Sequence, residues 1–332
     1  MIQINNLTKR YGKYVAIENL SLDIPTGSLF GLVGINGAGK STLLRTLSGV
    51  FAPDEGSVMI DGQSVFQNEK IKQDVLFLPD EPFFTPLTNG DDVAALYKTF
   101  YNFDNKLFKE FIAAYKLSLK MPLRTFSKGM KRRLFVSLAF ASNPKYLFLD
   151  EVFDGIDPAA RLIFKQGLIE MHRRNNTTCV IASHSLRELE DICDSFALID
   201  GKTIRSTGGV AGSIESLTKL QIAFKDPISA LHFKDIEHLS FTTTGRIATV
   251  VFSGDRQEFL KNIALLNPLV IDELPVDFEE YFIHEISTKK VSPLDSEGQH
   301  SFLRDSSLFR HSSEEGELMQ QQENDFREGG QD

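Results

Sequence analysis

The sequence predicts an α/β core interrupted by a helical subdomain, followed by a small second α/β domain and a disordered tail. Three observations carry this. Residues 1–212 alternate short apolar runs with helical patterns. Between Thr88 and Asn143 strand patterns vanish and apolar residues recur at helical spacing. Residues 214–286 then return to strands in the order strand, helix, strand, strand, helix, strand.

In chain order, the core strands are expected at Ser28–Val33, Val75–Leu78, Tyr146–Leu149, Thr178–Ala182 and Phe196–Ile199, each short, apolar and bounded by a Gly, Pro or polar break. In the helical stretch, Val93, Leu96, Tyr97 and Phe100 share one face. Phe108, Phe111, Ile112 and Tyr115 share another. The second domain reads as strands at Leu220–Phe224, Leu239–Thr243, Ile247–Phe252 and Leu269–Leu274, with helices at Pro227–Phe233 and Arg256–Leu266. Thr244-Gly245 is a hairpin tip, and the order suits a ferredoxin-like sheet. A last amphipathic helix spans Val276–Ile286. From residue 287 to 332 the chain holds eight serines, ten acids and five Lys or Arg, too few apolar groups to offset ordering entropy.

Length and charge narrow the function. At roughly 150 residues per domain, 332 residues leave room for two domains. The tail takes −5 of the net −9, so residues 1–286 carry only −4 and offer no basic patch by count. That disfavours general nucleic-acid binding. No apolar stretch approaches the ~18 residues of a membrane span, and the first residues lack the pattern of a secretory signal. A cytosolic protein is expected. Cys179 and Cys193 match no zinc or redox spacing and read as packed side chains.

Gly34-Ile35-Asn36-Gly37-Ala38-Gly39-Lys40-Ser41 fits G-x-x-x-x-G-K-[ST] between a strand and the helical run Thr42–Val50. Its glycines let successive N–H groups turn toward phosphate oxygens, and the helix start adds partial positive charge. Lys40 would reach the β- and γ-phosphates, and Ser41 would ligate Mg²⁺. The loop lacks the G-x-G-x-x-G spacing of a dinucleotide site. Asp150 ends an apolar strand where it can hold Mg²⁺, and Glu151 follows, placed to orient and deprotonate water. His184 closes the next strand. A lone His there is more often a packing or capping residue, but in this order it can reach the γ-phosphate from the side.

Ser127 and the free N–H groups of the helix Lys131–Ser142 make a second anion site. One nucleotide cannot occupy two distant helix starts of one chain, so a head-to-tail pair is expected, Ser127 of one copy facing Lys40 of the other. Lys128 and Lys131 add positive charge there, whereas Arg132 and Arg133 read as a solvated face. Tyr11 and Tyr14 are equally good aromatic platforms.

This ordered set resembles the nucleotide-binding subunit of ATP-binding cassette (ABC) transporters over about residues 1–212. The resemblance implies a P-loop NTPase (ABC ATPase) core, with Gly34–Thr42 as the Walker A loop, Ser127 and Gly129 in the signature motif Phe126–Met130, and Gly155–Pro158 as the D-loop. It assigns His184 as the switch histidine, Glu151 as the catalytic glutamate and Tyr11 as the adenine-stacking ring. Implied with it are ATP and Mg²⁺, ATP hydrolysis, a second nucleotide-binding subunit and an integral-membrane permease that holds the protein at the inner face of the membrane. Phe83 or Phe84 would line the permease groove. The Ser-Lys-Gly-Met signature looks like a bacterial type-2 exporter branch. Pro79-Asp80 stands where the family has Gln. Asp80 can bind Mg²⁺ through water, with shorter reach. The rival readings are a soluble ABC ATPase acting on DNA or ribosomes, and a nucleotide-gated regulatory protein. Lys40 and Ser127 lie 87 positions apart with no sustained heptads, and one cassette is present, which argues against the first. Glu151 and His184 argue against the second.

Overall fold

The computed structural model describes residues 1–85 and 87–287. Two compact units divide the chain, Met1–Thr207 and a second beginning at Gly208. The first unit holds two sheets. Strands β1 (Ile2–Tyr11), β2 (Tyr14–Ile24), β4 (Glu55–Ile60) and β5 (Gln63–Ser64) form an antiparallel sheet in the order β2-β1-β4-β5. This sheet is absent from the strands expected on sequence. Its alternation is broken by register shifts between Ile4 and Leu7 and by Asn6 at φ 48°.

The second sheet contains β3 (Leu29–Val33), β6 (Val75–Leu78), β7 (Tyr146–Asp150), β8 (Thr178–Ser183), β9 (Ser195–Asp200) and β10 (Thr203–Gly209), in the order β10-β9-β3-β8-β7-β6. Strands β3, β6, β7, β8 and β9 pair in parallel. They coincide with the five expected strands to within a residue or two. Every residue of β3, β7 and β8 is buried, as continuous apolar strands covered on both faces must be. Helix α1 (Lys40–Leu47) buries Leu43, Leu44 and Leu47 in the core shared with Phe148, Val180 and Ala197. A short α2 (Glu69–Asp74) precedes β6.

Helices α3 (Gly90–Phe100), α4 (Asn105–Ala114) and α5 (Lys128–Ala141) occupy the strand-free stretch. Each starts on a side-chain cap, Asn89, Asp104 and Ser127. The α4 stripe Phe108, Phe111, Ile112 and Tyr115 is buried. The α3 face is split: Val93 is buried, whereas Leu96 and Phe100 are 56% and 65% exposed. Helix α6 (Pro158–Asn175) opens on Asp157 with Pro at its first position, and α7 (Leu186–Glu190) follows β8. Cys179 and Cys193 are both buried and free.

In the second unit, after α8 (Val210–Glu215), strands β11 (Leu217–Ala223), β12 (Ser240–Thr244), β13 (Ile247–Ser253) and β14 (Val270–Leu274) form an antiparallel sheet ordered β12-β13-β11-β14. Helix α9 (Arg256–Ala264) packs Phe259 on Phe252, with ring centroids 3.6 Å apart. The expected first helix is only a 3-10 turn at Ala230–Phe233, and α10 (Phe278–Ser287) ends the described chain. Of the tail expected to be disordered, residues 287–332, Ser287 ends α10 and the rest lies outside the described residues.

Candidate functional site

Parallel pairing brings four strand ends to one edge of the sheet, the carboxyl edge where open α/β folds bind ligands. Val33 pairs with Ser183, Asp150 with Ala182, and Leu78 with Leu149. The residues just beyond these ends are the phosphate loop, His184, Glu151 and Asp80.

The loop leads from β3 into α1, which opens on Gly39 with no side-chain cap. Its first N–H groups are thus left to a ligand. Gly39 sits at φ 102°, and a Cβ there would stand 2.7 Å from the Ala16 carbonyl oxygen. Only glycine fits. Gly34 and Ala38 are buried, whereas Ile35, Asn36 and Gly37 form the exposed loop tip. Lys40 is 5% exposed and its Nζ donates to the carbonyls of Gly34 at 2.8 Å and Ile35 at 3.3 Å. Burial pushes its pKa down, against the upward pull of Glu151 and Asp150.

Asp150 is buried and its Oδ1 has no hydrogen-bond partner. Burial raises its pKa, while a hydrogen bond from the Ser41 hydroxyl opposes this. A buried carboxylate oxygen left unpartnered is costly. Beside a serine hydroxyl, it is a donor set suited to a hard divalent cation such as Mg²⁺. The residues fit the ion expected from sequence.

Glu151 occupies the left-handed region at φ 45°, an uncommon and strained conformation for a residue with a side chain. Its N–H donates to Ala182 O at 2.9 Å, which ties the turn to β8. Both carboxylate oxygens are engaged. Oε1 faces Lys40 Nζ at 3.6 Å, and Oε2 meets His184 Nδ1 at 2.8 Å. His184 Nε2 stands 4.0 Å from Asp154 Oδ1. The imidazole is therefore flanked by two carboxylates. Sequence reading attaches no function to Asp154. Only the turn after β7 brings it to His184.

Tyr11 is half-buried beside the loop helix, its hydroxyl 3.4 Å from Thr42 Oγ1 and its ring edge-on to Phe51. The rival Tyr14 lies exposed, with Lys202 4.8 Å from its ring. Ser127 is exposed and caps α5 by accepting from Met130 N at 3.2 Å. A Cβ on Gly129 would lie 2.3 Å from the Gly155 carbonyl oxygen, so glycine here also lets the start of α5 meet the turn at Gly155. Within the chain, the structure brings Lys40, Ser41, Asp150, Glu151 and His184 together. No contact joins Ser127 to them.

Two basic residues differ from the expected solvated face. Arg132 is 2% exposed and bonds Asp80, with Nη1 donating to Pro79 O at 3.2 Å. Lys128 Nζ approaches the same Asp80 Oδ1 at 3.7 Å. Arg133 lies 3.7 Å from Asp157 and donates to Gly129 O. These partners lie 24 to 53 positions away in sequence or in the helix backbone itself, so local spacing carries no signal of them.

The family model described as ABC transporter matches residues 17–154. The ABC transporter ATP-binding protein YtrB of Bacillus subtilis is 29% identical over 292 residues, covering 87% of this chain and 99% of the relative. The lantibiotic transport ATP-binding protein SrtF of Streptococcus pyogenes is 30% identical over 230 residues, 68% of this chain and 99% of its own. A sulfate/thiosulfate import ATP-binding protein of Mesostigma viride is 28% identical, covering 78% of this chain and 71% of the relative. Among solved structures, the ATP-binding cassette MJ0796, a dimer bound to ADP and Pi, overlays with a TM-score of 0.57 at 21% identity, covering 63% of this chain and 98% of that one. No helix among the described residues is long and apolar enough to cross a membrane. With a phosphate loop, an acid pair and a histidine on one sheet edge, and relatives of this kind matched nearly end to end, the chain belongs to the ATP-binding subunits of ABC transporters, a family of ATPases.

Proposed function

We propose that this chain binds ATP with Mg²⁺ and hydrolyses it as one half of a head-to-tail pair, energising export through a separate membrane permease. The observation that carries the reading is the Asp150 Oδ1 atom, buried and unpartnered beside Ser41. Ser41 and Asp150 would hold the ion, which screens phosphate charge when bound. Lys40 exchanges its two loop carbonyls for phosphate oxygens. As Lys40 turns to the phosphates, Glu151 Oε1 is released to orient water and accept its proton, a contribution typically worth ~10²–10⁴-fold. His184 holds Oε2 of the same carboxylate and stands at the γ-phosphate side of the site. Tyr11 stacks on the adenine ring. Ser127 and the free N–H groups of α5 complete the site from the second copy.

Export is favoured by the Ser-Lys-Gly-Met signature; of the relatives, one is named for lantibiotic transport and one for sulfate/thiosulfate import. The permease surface is supported by Phe83, which is 87% exposed while its neighbour Phe84 packs 6.5 Å from the Phe135 ring. An exposed aromatic ring gives an apolar partner helix a surface on which to dock. Such a partner would place the protein at the inner face of the cell membrane. Phe83→Asp is expected to weaken co-purification with an integral-membrane protein while changing stability by no more than about 0.5 kcal/mol. Recovery of the native protein on ribosomes or DNA, with no membrane partner in detergent extracts, would sink the transport reading.

A further inference from the structure

Arg132 is a guanidinium buried in a helix whose other buried residues are apolar or small. Burying that charge costs several kcal/mol unless its donors find acceptors. Here they find Asp80 and the Pro79 carbonyl. The same helix reaches the same segment three more times. Lys128 Nζ lies 3.7 Å from Asp80, Lys131 Nζ lies 4.9 Å from the Phe84 ring centre, and Phe135 packs on Phe84. Between these fixed points Phe83 is left pointing out. The segment springs from β6, whose last residue Leu78 pairs with Leu149, next to Asp150. Ser127 caps α5 five residues before Arg132.

Only the Arg132 side of the pair is buried, the Asp80 side chain being 41% exposed; a pair that takes a charge out of water adds little net stability compared with apolar packing, and its best-attested use is to fix one register among several. We propose that Arg132 and Asp80 form a clamp that makes residues 79–84 move with the signature helix, so that a displacement at Ser127 is transmitted to Phe83. Asp80 is then a positioning residue, its carboxylate spent on α5 instead of on Mg²⁺. The clamp rests on the shared-site reading above, because a ligand that reaches Ser127 must come from a second copy.

Both native cysteines are buried, so in the full chain a cysteine at Phe83→Cys takes a nitroxide label selectively. In a Glu151→Gln background, which is expected to bind ATP without turning it over, adding ATP and Mg²⁺ is expected to change the mobility spectrum of the label. Arg132→Gln should loosen the label and abolish most of that change without loss of ATP binding. Arg132→Lys should restore part of it. If Arg132→Gln does not fold, Asp80→Asn, on the exposed side of the pair, carries the same test. A label that responds to ATP equally well in the Arg132 or Asp80 variants overturns the clamp. So does an Asp80→Asn chain whose ATP binding needs more Mg²⁺, since that puts Asp80 on the ion. Size-exclusion of the same samples reports the shared site separately. Dimers without any label response sink the clamp alone, and a label response without dimers overturns the shared site and, with it, the route from Ser127 to Phe83.

Discussion

The carboxyl edge of the parallel sheet and the start of α5 both offer groups for an anion, and they differ in how those groups are occupied. At the sheet edge nearly every group has a partner within the chain: Lys40 on loop carbonyls and Glu151, Glu151 on His184, Ser41 on Asp150. What remains is one buried carboxylate oxygen and the N–H groups of an uncapped helix start. At α5 the start is capped by an exposed Ser127, with Lys128 and Lys131 around it and no reacting group nearby. The sheet edge can perform chemistry on a bound phosphate. The α5 start can only contribute charge and hydrogen bonds to a phosphate brought to it. This asymmetry is what a site divided between two copies requires.

The largest effect should come from the sheet edge. Glu151→Gln keeps the shape of the side chain and removes the base, so steady-state phosphate release should fall ~10²–10⁴-fold with ATP binding retained. Release within a few-fold of the parent would strip Glu151 of that role and leave the edge as a binding site only.

A smaller effect is expected where α5 meets the D-loop. Gly129→Ala places a methyl group 2.3 Å from the Gly155 carbonyl, and backbone must shift. Overpacking of this kind costs about 1–3 kcal/mol, measurable as a lowered denaturation midpoint together with reduced turnover. Unchanged stability would show that the contact yields freely and that the two elements are not held together.

The smallest effect is expected at the opposite edge of the sheet. Asp61 accepts from Lys145 Nζ at 2.5 Å, from the N-terminal amine at 2.8 Å and from the Tyr146 hydroxyl at 2.6 Å. Burial opposes the shift, but these donors hold its carboxyl well below the ordinary range. A carboxyl so depressed stabilises the fold above its ordinary pKa, and the gain is lost as pH falls through the folded value. The Tm gap between parent and Asp61→Asn should be full at neutral pH and close only below about pH 4. Turnover should be unaffected by this substitution. A change in turnover would mean that the two edges are coupled through β7.

The difference between these regions also explains what could be read from sequence. The four strand ends were legible because each is a short apolar run stopped by a chemically distinctive residue, and parallel pairing then assembles them without further information. The sheet of β1, β2 and β4 was not, because bulges break the alternation of Ile2, Ile4 and Leu7. The first helix expected in the second unit, Pro227–Phe233, is shorter in the structure, a single 3-10 turn at Ala230–Phe233. Arg132 has no burial signal of its own, because the run Lys131-Arg132-Arg133 has the pattern of a solvated face. Its partner Asp80 is 52 positions away. Asp154 reaches His184 only through the turn that follows Glu151. Residues whose roles depend on their own element are legible in sequence, and residues whose roles depend on a distant partner are not.

The most direct test of the divided site mixes two damaged chains. A Lys40→Ala chain lacks the loop lysine but keeps its α5 start, and a Ser127→Arg chain keeps the sheet edge and blocks α5. Each homodimer has two damaged sites, whereas the mixed dimer has one site with both lesions and one with neither. Partial recovery of ATPase activity on mixing is the predicted result. Activity no greater than the sum of the two separate preparations, with mixed dimers demonstrated in the same sample, would contradict the account.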